Sequence, residues 1–207
     1  MQELCQFFDR RIYHVEGGEE TPAVYYIADE DAGGILVNAP LHCEETWQQL
    51  ASLAPPTVLF LPSRFGAQDL VSWRERGLRL VAQPAEGKAL GVELDVALDS
   101  KLRLTRTIDF LPMSGRTAGS CALRLRNKPG AIFFGPILEP AAPDAWPTLL
   151  PHPDDQSWEN RLFGSLGLQD VSFAYAFCDR FFPGRTPIGP GADAGIAAAL
   201  HELWADD

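Results

Sequence analysis

Four histidines, four cysteines and 28 carboxylates are the residues from which this chain could build a reactive site. Two short clusters combine the side chains that hold transition metals. They are His42-Cys43-Glu44 and His152-x-Asp154-Asp155. A metal site built from His42, His152 and Asp154, with Glu139 nearby, is one chemistry these clusters permit. His14 and His201 stand apart from both, and Asp154 has a competing use as a helix cap. Cys5, Cys43, Cys121 and Cys178 are widely spaced, with no C-x-x-C pair, which reads as free thiols in a reducing compartment. Cys121 and Cys178 lie in apolar stretches and read as inert core thiols, whereas Cys43 reads as more exposed without a mark of activation. Ser63 follows an apolar run, but no G-x-S-x-G surrounds it and no histidine is placed to activate it.

The elements that must position these groups are legible from periodicity. Ala23–Ile27 and Ile35–Val37 flank acidic residues and Gly33-Gly34, a hairpin pattern. Trp47, Leu50 and Leu53 recur at threes in a helix over Glu44–Leu53, which Pro55-Pro56 ends. Thr57–Leu61 is a wholly apolar strand of the kind buried on both faces. A helix over Ala67–Arg76, closed by Gly77, leads to a strand at Leu78–Ala82, so these two strands are expected to be parallel. Short strands follow at Val92–Ala97, Lys101–Leu104, Thr107–Leu111, Ser120–Arg126 and Ala131–Phe134, with a turn at Asn127–Gly130. Glu139–Pro153 is a proline-rich loop. Helical patterns return at Asp154–Leu166, Val171–Phe181 and Asp193–Leu203, the last with Asp193 as N-cap. The aromatic residues of Trp158–Phe182 read as helix packing, with Phe181-Phe182 the pair expected to be exposed.

Composition bounds the partners. A chain of 207 residues buries roughly 70% of its unfolded surface and needs no staple to fold as one domain. The net charge of −11 argues against nucleic acid as a general partner. No apolar run is long enough for a bilayer span, so no membrane partner is expected. MQELCQFFDRR lacks the pattern of a signal peptide, and the expected location is cytoplasmic.

Three segments carry a resemblance. In Val58-Leu59-Phe60-Leu61-Pro62-Ser63-Arg64-Phe65-Gly66-Ala67-Gln68-Asp69, an apolar strand runs into the head of a helix. Ser114-Gly115-Arg116-Thr117-Ala118-Gly119-Ser120 keeps a Gly-x-Thr-x-Gly-Ser turn, with Phe133-Phe134-Gly135-Pro136 downstream. Pro183-Gly184-Arg185-Thr186-Pro187 is a shorter late turn. In this order they resemble the metallo-β-lactamase superfamily, over roughly 24–140 and again 183–203. The resemblance implies an α+β fold, a four-layer αββα sandwich, as a single domain over 1–207 with a variable loop and aromatic helical segment at 139–182. It also implies one or two catalytic metals held by H-x-H-x-D-H, P-G-H-T-x-G-S, F-x-G-D and P-G-H-G-P. Laid over those motifs, Ser63, Phe65, Ala67 and Gln68 replace the first four ligands, Arg116 and Arg185 replace histidines, and Pro136 replaces the bridging aspartate. Asn38 stands where the family often has aspartate.

These replacements remove the family's chemistry. Metal-bound hydroxide needs imidazole and carboxylate ligands, and a protonated arginine repels a cation. The expectation is therefore a pseudo-hydrolase with no metal and no cofactor, which binds a small anionic ligand or a protein partner. Its vestigial site would comprise Ser63, Arg64, Phe65, Gln68, Arg116 and Arg185. Guanidinium groups there could fork onto a carboxylate or phosphate. With 28 acids in the chain, the favoured reading is that each pairs with one, such as Asp69, Asp109 or Asp179, and closes the site. The alternatives are a hydrolase with a relocated metal or a metal-free site, and a structural subunit that uses the fold for homo-oligomeric assembly.

Overall fold

The structure, a computed structural model, describes residues 1–8, 10–17, 21–99 and 103–205. The chain divides into two compact units, Met1–Ser100 and Lys101–Asp207.

The first unit is a seven-stranded sheet in simple sequence order. Its strands are β1 (Gln2–Phe7), β2 (Arg10–Val15), β3 (Val24–Asp29), β4 (Gly33–Val37), β5 (Pro56–Phe60), β6 (Arg79–Ala82) and β7 (Val96–Ala97). The first four strands pair antiparallel and the last three join in parallel, and each of the parallel pairs β4–β5, β5–β6 and β6–β7 has a helix between its strands. The hairpin expected at Gly33-Gly34 is β3–β4, paired from Tyr25↔Val37 to Asp29↔Gly33. All six residues of β3 are buried, so apolar side chains occupy both of its faces. One of those faces packs Val24, Tyr26, Leu36, Leu59 and Leu80 with the helices' Leu50 and Trp73.

Helix α1 (Glu44–Leu53) has the expected bounds. The Cys43 side chain caps it, Glu44 and Glu45 sit at the positive end of its dipole, and Leu50 is its buried residue. The helix expected over 67–76 is shorter. A 3₁₀ turn at Arg64–Gly66 comes first, and α2 spans only Leu70–Glu75, entered through Asp69 at φ +45°. Helix α3 (Pro84–Leu90) was not expected, and the strand expected over 92–97 shrinks to β7. The strand expected at 101–104 begins on residues outside those described. Of the rest, Arg103 makes an isolated bridge to Asp109.

The second unit holds a four-stranded sheet ordered β13-β10-β9-β8. Its members are β8 (Ile108–Pro112), β9 (Cys121–Leu125), β10 (Ala131–Gly135) and β13 (Tyr175–Cys178). The proline-rich segment is mostly loop, with one two-residue ladder between β11 (Glu139–Pro140) and β12 (Pro147–Thr148). Two helical expectations are corrected here. Val171–Phe181 contains strand β13, parallel to β10, with the Phe133 and Phe177 rings stacked at 4.6 Å. Phe173, Phe177 and Phe181 recur at fours, which suits a helix, but the alternation of Phe173, Tyr175 and Phe177 is the pattern that the structure follows. The helix expected from Asp154 begins later, as α4 (Trp158–Leu166), and its cap is Ser157, whose hydroxyl accepts from the Asn160 N–H. Helix α5 runs Ala192–Ala205, so Asp193 lies in its first turn. One face of this sheet buries Met113, Ala122, Ile132 and Phe134 with Leu168, Ile196 and Leu200. Phe181 and Phe182 are half-buried, and the exposed aromatic of the segment is Phe163, beside exposed Leu166 on α4.

Candidate functional site

In the first unit the motif turn leaves the carboxyl end of β5. Ser63 is fully buried, and its hydroxyl accepts from the Phe65 N–H at 3.2 Å, capping the 3₁₀ turn. The Arg64 N–H donates to the Glu86 carboxylate at 2.6 Å, and the Arg64 guanidinium lies over the Phe65 ring. Glu86 is itself fully buried, on the helix α3 that periodicity did not reveal, so no sequence signal marked it as a support of this turn. Gly66 is pressed against Asn38. A Cβ there would fall 1.8 Å from Asn38 Oδ1, so only glycine fits. Asn38, at φ +63°, donates from Nδ2 to the Ala23 carbonyl at 2.8 Å, a structural bond rather than a ligand's. Gln68 is half-buried, and Asp69 accepts from the His42 N–H at 3.0 Å. The His42 ring meets Trp73 edge-on at 4.9 Å. Cys43 is exposed, and hydrogen bonds from Thr46 hold its thiol below the ordinary range, an activation with no mark in the sequence. A cavity of about 290 Å³ in this unit, lined by Arg10, Arg11, Asp29 and Pro55 among others, lies by the amino ends of β4 and β5, away from the motif turn.

In the second unit the Gly-x-Thr-x-Gly-Ser turn joins β8 to β9. The Ser120 hydroxyl lies 2.8 Å from the Met113 carbonyl and 3.2 Å from that of Thr117, tying the turn to its own strands. Gly115 adopts φ +128°, where a Cβ would stand 2.6 Å from both Arg161 Cγ and the Ser157 carbonyl. The segment before α4 docks on this turn, with the Ser157 N–H donating to Gly115 O at 3.0 Å.

A charge network fastens that contact. Arg116 donates to Asp154 at 2.9 Å and stands 3.6 Å from Asp155. Arg161, with its side chain fully buried, donates to Asp155 and to the Leu150 carbonyl at 2.7 Å each, and to the Ile137 carbonyl at 2.8 Å. Asp155 also receives the His152 N–H at 3.0 Å, while the His152 ring meets Glu139. The hydrogen bond from Arg116 holds the Asp154 carboxyl below the usual carboxylate range. Arg185 makes a two-pronged pair with Asp144, at 3.1 and 2.6 Å, in which both side chains are exposed. The acids that engage Arg116 and Arg185 are thus Asp154, Asp155 and Asp144. Asp109, one of the acids expected for this role, instead receives Arg124.

No family model matches the chain, and no curated protein matches it. Solved structures do. A subclass B3 metallo-β-lactamase of Bradyrhizobium japonicum superposes over 100% of this chain and 93% of its own, with a TM-score of 0.64 and 14% identity. A metallo-β-lactamase of Cronobacter sakazakii described by its HARLDQ motif gives 0.66 and 12%, over 100% and 93%. The chain has the metallo-β-lactamase fold. A class B3 di-zinc metallo-β-lactamase from an Alaskan soil metagenome also aligns, at 0.64 and 13%, over 100% of this chain and 92% of its own.

Zinc does not fit the residues that this metallo-β-lactamase-fold chain places on its motif turns. Zinc takes thiolate, imidazole or carboxylate. Ser63 spends its hydroxyl on capping, Phe65 and Ala67 have no donor, and Arg116 presents a cation already bonded to carboxylates. Among the described residues, no group of three or more His, Cys, Asp and Glu is arranged to hold a metal ion. None of His42, His152 and Asp154, the possible ligands named from the sequence, belongs to such a group. His42 packs on Trp73, His152 meets Glu139 and Asp154 meets Arg116.

Proposed function

We propose that this chain is a non-catalytic protein of the metallo-β-lactamase fold, which acts by binding a protein partner. The observation that carries the reading is the ion pairing of Arg116. A guanidinium bonded to Asp154 sits on the turn where the resembling family has a metal-binding histidine, so the position stores a local charge balance in place of a cation site. The neighbour described by its HARLDQ motif offers a second comparison. Set against those six letters from Ser63 onward, this chain reads Ser-Arg-Phe-Gly-Ala-Gln and shares only the last. A small anion as ligand is the weaker form of the proposal, because Arg116 and Arg185 already hold carboxylates at 2.9 and 2.6 Å.

The test is turnover. The purified chain is incubated with lactam, ester and thioester substrates in the presence of added zinc, manganese or iron. The expected result is no rate above the uncatalysed reaction. Turnover that disappears in Gln68→Ala or Arg116→Ala would overturn the reading.

A further inference from the structure

Charge in this chain is unevenly placed. It has 17 Lys and Arg against 28 Asp and Glu, yet seven of those bases fall within 101–128, where Asp109 is the single acid. In a chain with so many carboxylates, a base that finds none is the informative one. Arg103, Arg106 and Lys128 are exposed, and among the described residues none of the three makes an ion pair. Arg126 stands 3.7 Å from Asp109, which the forked guanidinium of Arg124 already holds at 2.8 and 2.7 Å.

Topology gathers these residues. Residues 103–107 precede β8, and residues 126–130 join β9 to β10. Because Ile108 pairs with Leu125 and Leu125 with Ala131, both segments leave the same end of the sheet. A backbone bond from the Arg126 N–H to Thr107 O at 2.8 Å holds them together. Of the acids at this end, Asp170 and Asp193 lie by β13, three strands from β8 and on the order of 14 Å from it at about 4.8 Å per strand, while the Ala174 N–H, donating to Pro129 O at 3.1 Å, brings that side next to the turn of Lys128.

We infer that this sheet end is a docking surface for an acidic polypeptide segment, bound by Arg103, Arg106, Arg126 and Lys128. The inference rests on the binding role proposed above, and it can fail while that role's metal-free chemistry stands, because turnover is measured separately. Two other readings of the patch fit less well. Basic residues often guard an edge strand against pairing. Here β8 is the edge, but its own residues, Ile108–Pro112, include no base. Single-stranded nucleic acid would use aromatic platforms. The one aromatic residue within 101–130 is Phe110, which is 2% exposed. Guanidinium forks suit carboxylates, and a local basic patch on an acidic chain steers and orients an acidic partner over about one Debye length, roughly 8 Å at physiological salt.

The experiment uses the full chain and a fluorescein-labelled decaglutamate, read by anisotropy. The expected result is binding at 20 mM NaCl that weakens at least tenfold at 300 mM NaCl. Arg103→Glu/Arg106→Glu should weaken it at least tenfold at low salt. Arg79→Glu/Lys88→Glu, an equal change of charge at exposed sites elsewhere, should weaken it less than twofold. Absence of binding, or equal losses in the two variants, would overturn the inference. So would tenfold tighter binding of a decauridylate, which would make the partner a nucleic acid. Sedimentation velocity supplies the last arm. A low-salt dimer that Arg103→Glu/Arg106→Glu abolishes would make the occupant a second copy and likewise overturn the inference.

Discussion

Replacing Arg161 by Met tests whether charge pairing, rather than a metal, holds the second unit's turn in place. The side chain is fully buried and makes three hydrogen bonds, to Asp155, Leu150 O and Ile137 O. Removing one member of a buried ion pair costs about 3–5 kcal/mol, since the remaining charge stays desolvated. Asp155 keeps the His152 N–H and the guanidinium of Arg116 at 3.6 Å, which places the expected loss near the lower bound, about 3 kcal/mol. For a chain of this size that is a fall of roughly 6–12 °C in Tm. Urea unfolding measures it directly. The double variant Arg161→Met/Asp155→Asn removes the stranded charge and should recover about 1–2 kcal/mol relative to additivity. Hydrogen exchange at the Ser157 N–H, bonded to Gly115 O, should accelerate in the single variant. A loss under about 1 kcal/mol, or a strictly additive double variant, would refute the view that this network fastens the loop to the turn.

Three further outcomes are expected. Gly115→Ala should destabilise by more than about 2 kcal/mol in the same urea assay, because φ +128° is strained for alanine and the Cβ meets Arg161 Cγ and Ser157 O at 2.6 Å. Arg116→Gln should cost about 1 kcal/mol at neutral pH. The Asp154 carboxyl is depressed in the folded state, so this stabilisation is present above its ordinary value of 3.8 and disappears as pH falls through the lower folded value, where the urea midpoints of variant and wild type should converge. Cys43 should react with iodoacetamide faster than Cys5 or Cys178 at pH 7.5, since hydrogen bonds from Thr46 lower its pKa while burial raises theirs, to about 12 for Cys5. Thr46→Val should slow alkylation of Cys43, as read by mass spectrometry.

What was legible in the sequence was local. The β3–β4 hairpin was marked by Gly33-Gly34, α1 by its threes and Pro55-Pro56, and the turn at 127–130 by its own composition. The turns that resemble the family's motifs were legible because their glycines are sterically required, as Gly66 against Asn38 and Gly115 against Arg161 show. Less local features were not. Helix α3 has Pro84 at its start and Gly87 within it, which obscures a seven-residue pattern. Strand β13 is obscured because Phe173, Phe177 and Phe181 recur at fours, as on a helix face, while Phe173, Tyr175 and Phe177 alternate as in a strand, and the parallel partner β10 decides between them. The partners of Arg116 and Arg185 lie 38 and 41 residues away, and no spacing rule reaches that far. Phe163, not Phe181-Phe182, is the exposed aromatic, a matter of which face of α4 meets the sheet.

On the proposed function, fold and chemistry separate in this chain. On the turns that resemble the family's motifs, Ser63 caps, Ser120 ties its own strands and Arg116 pairs with an acid. Metal stoichiometry tests that claim most directly. The purified full chain is exposed to excess zinc, manganese and iron, desalted and measured by elemental analysis. The account predicts far less than one metal per chain, with no change in Tm on zinc addition. One or two equivalents of retained metal, lost on Arg116→Ala or Gln68→Ala, would contradict it.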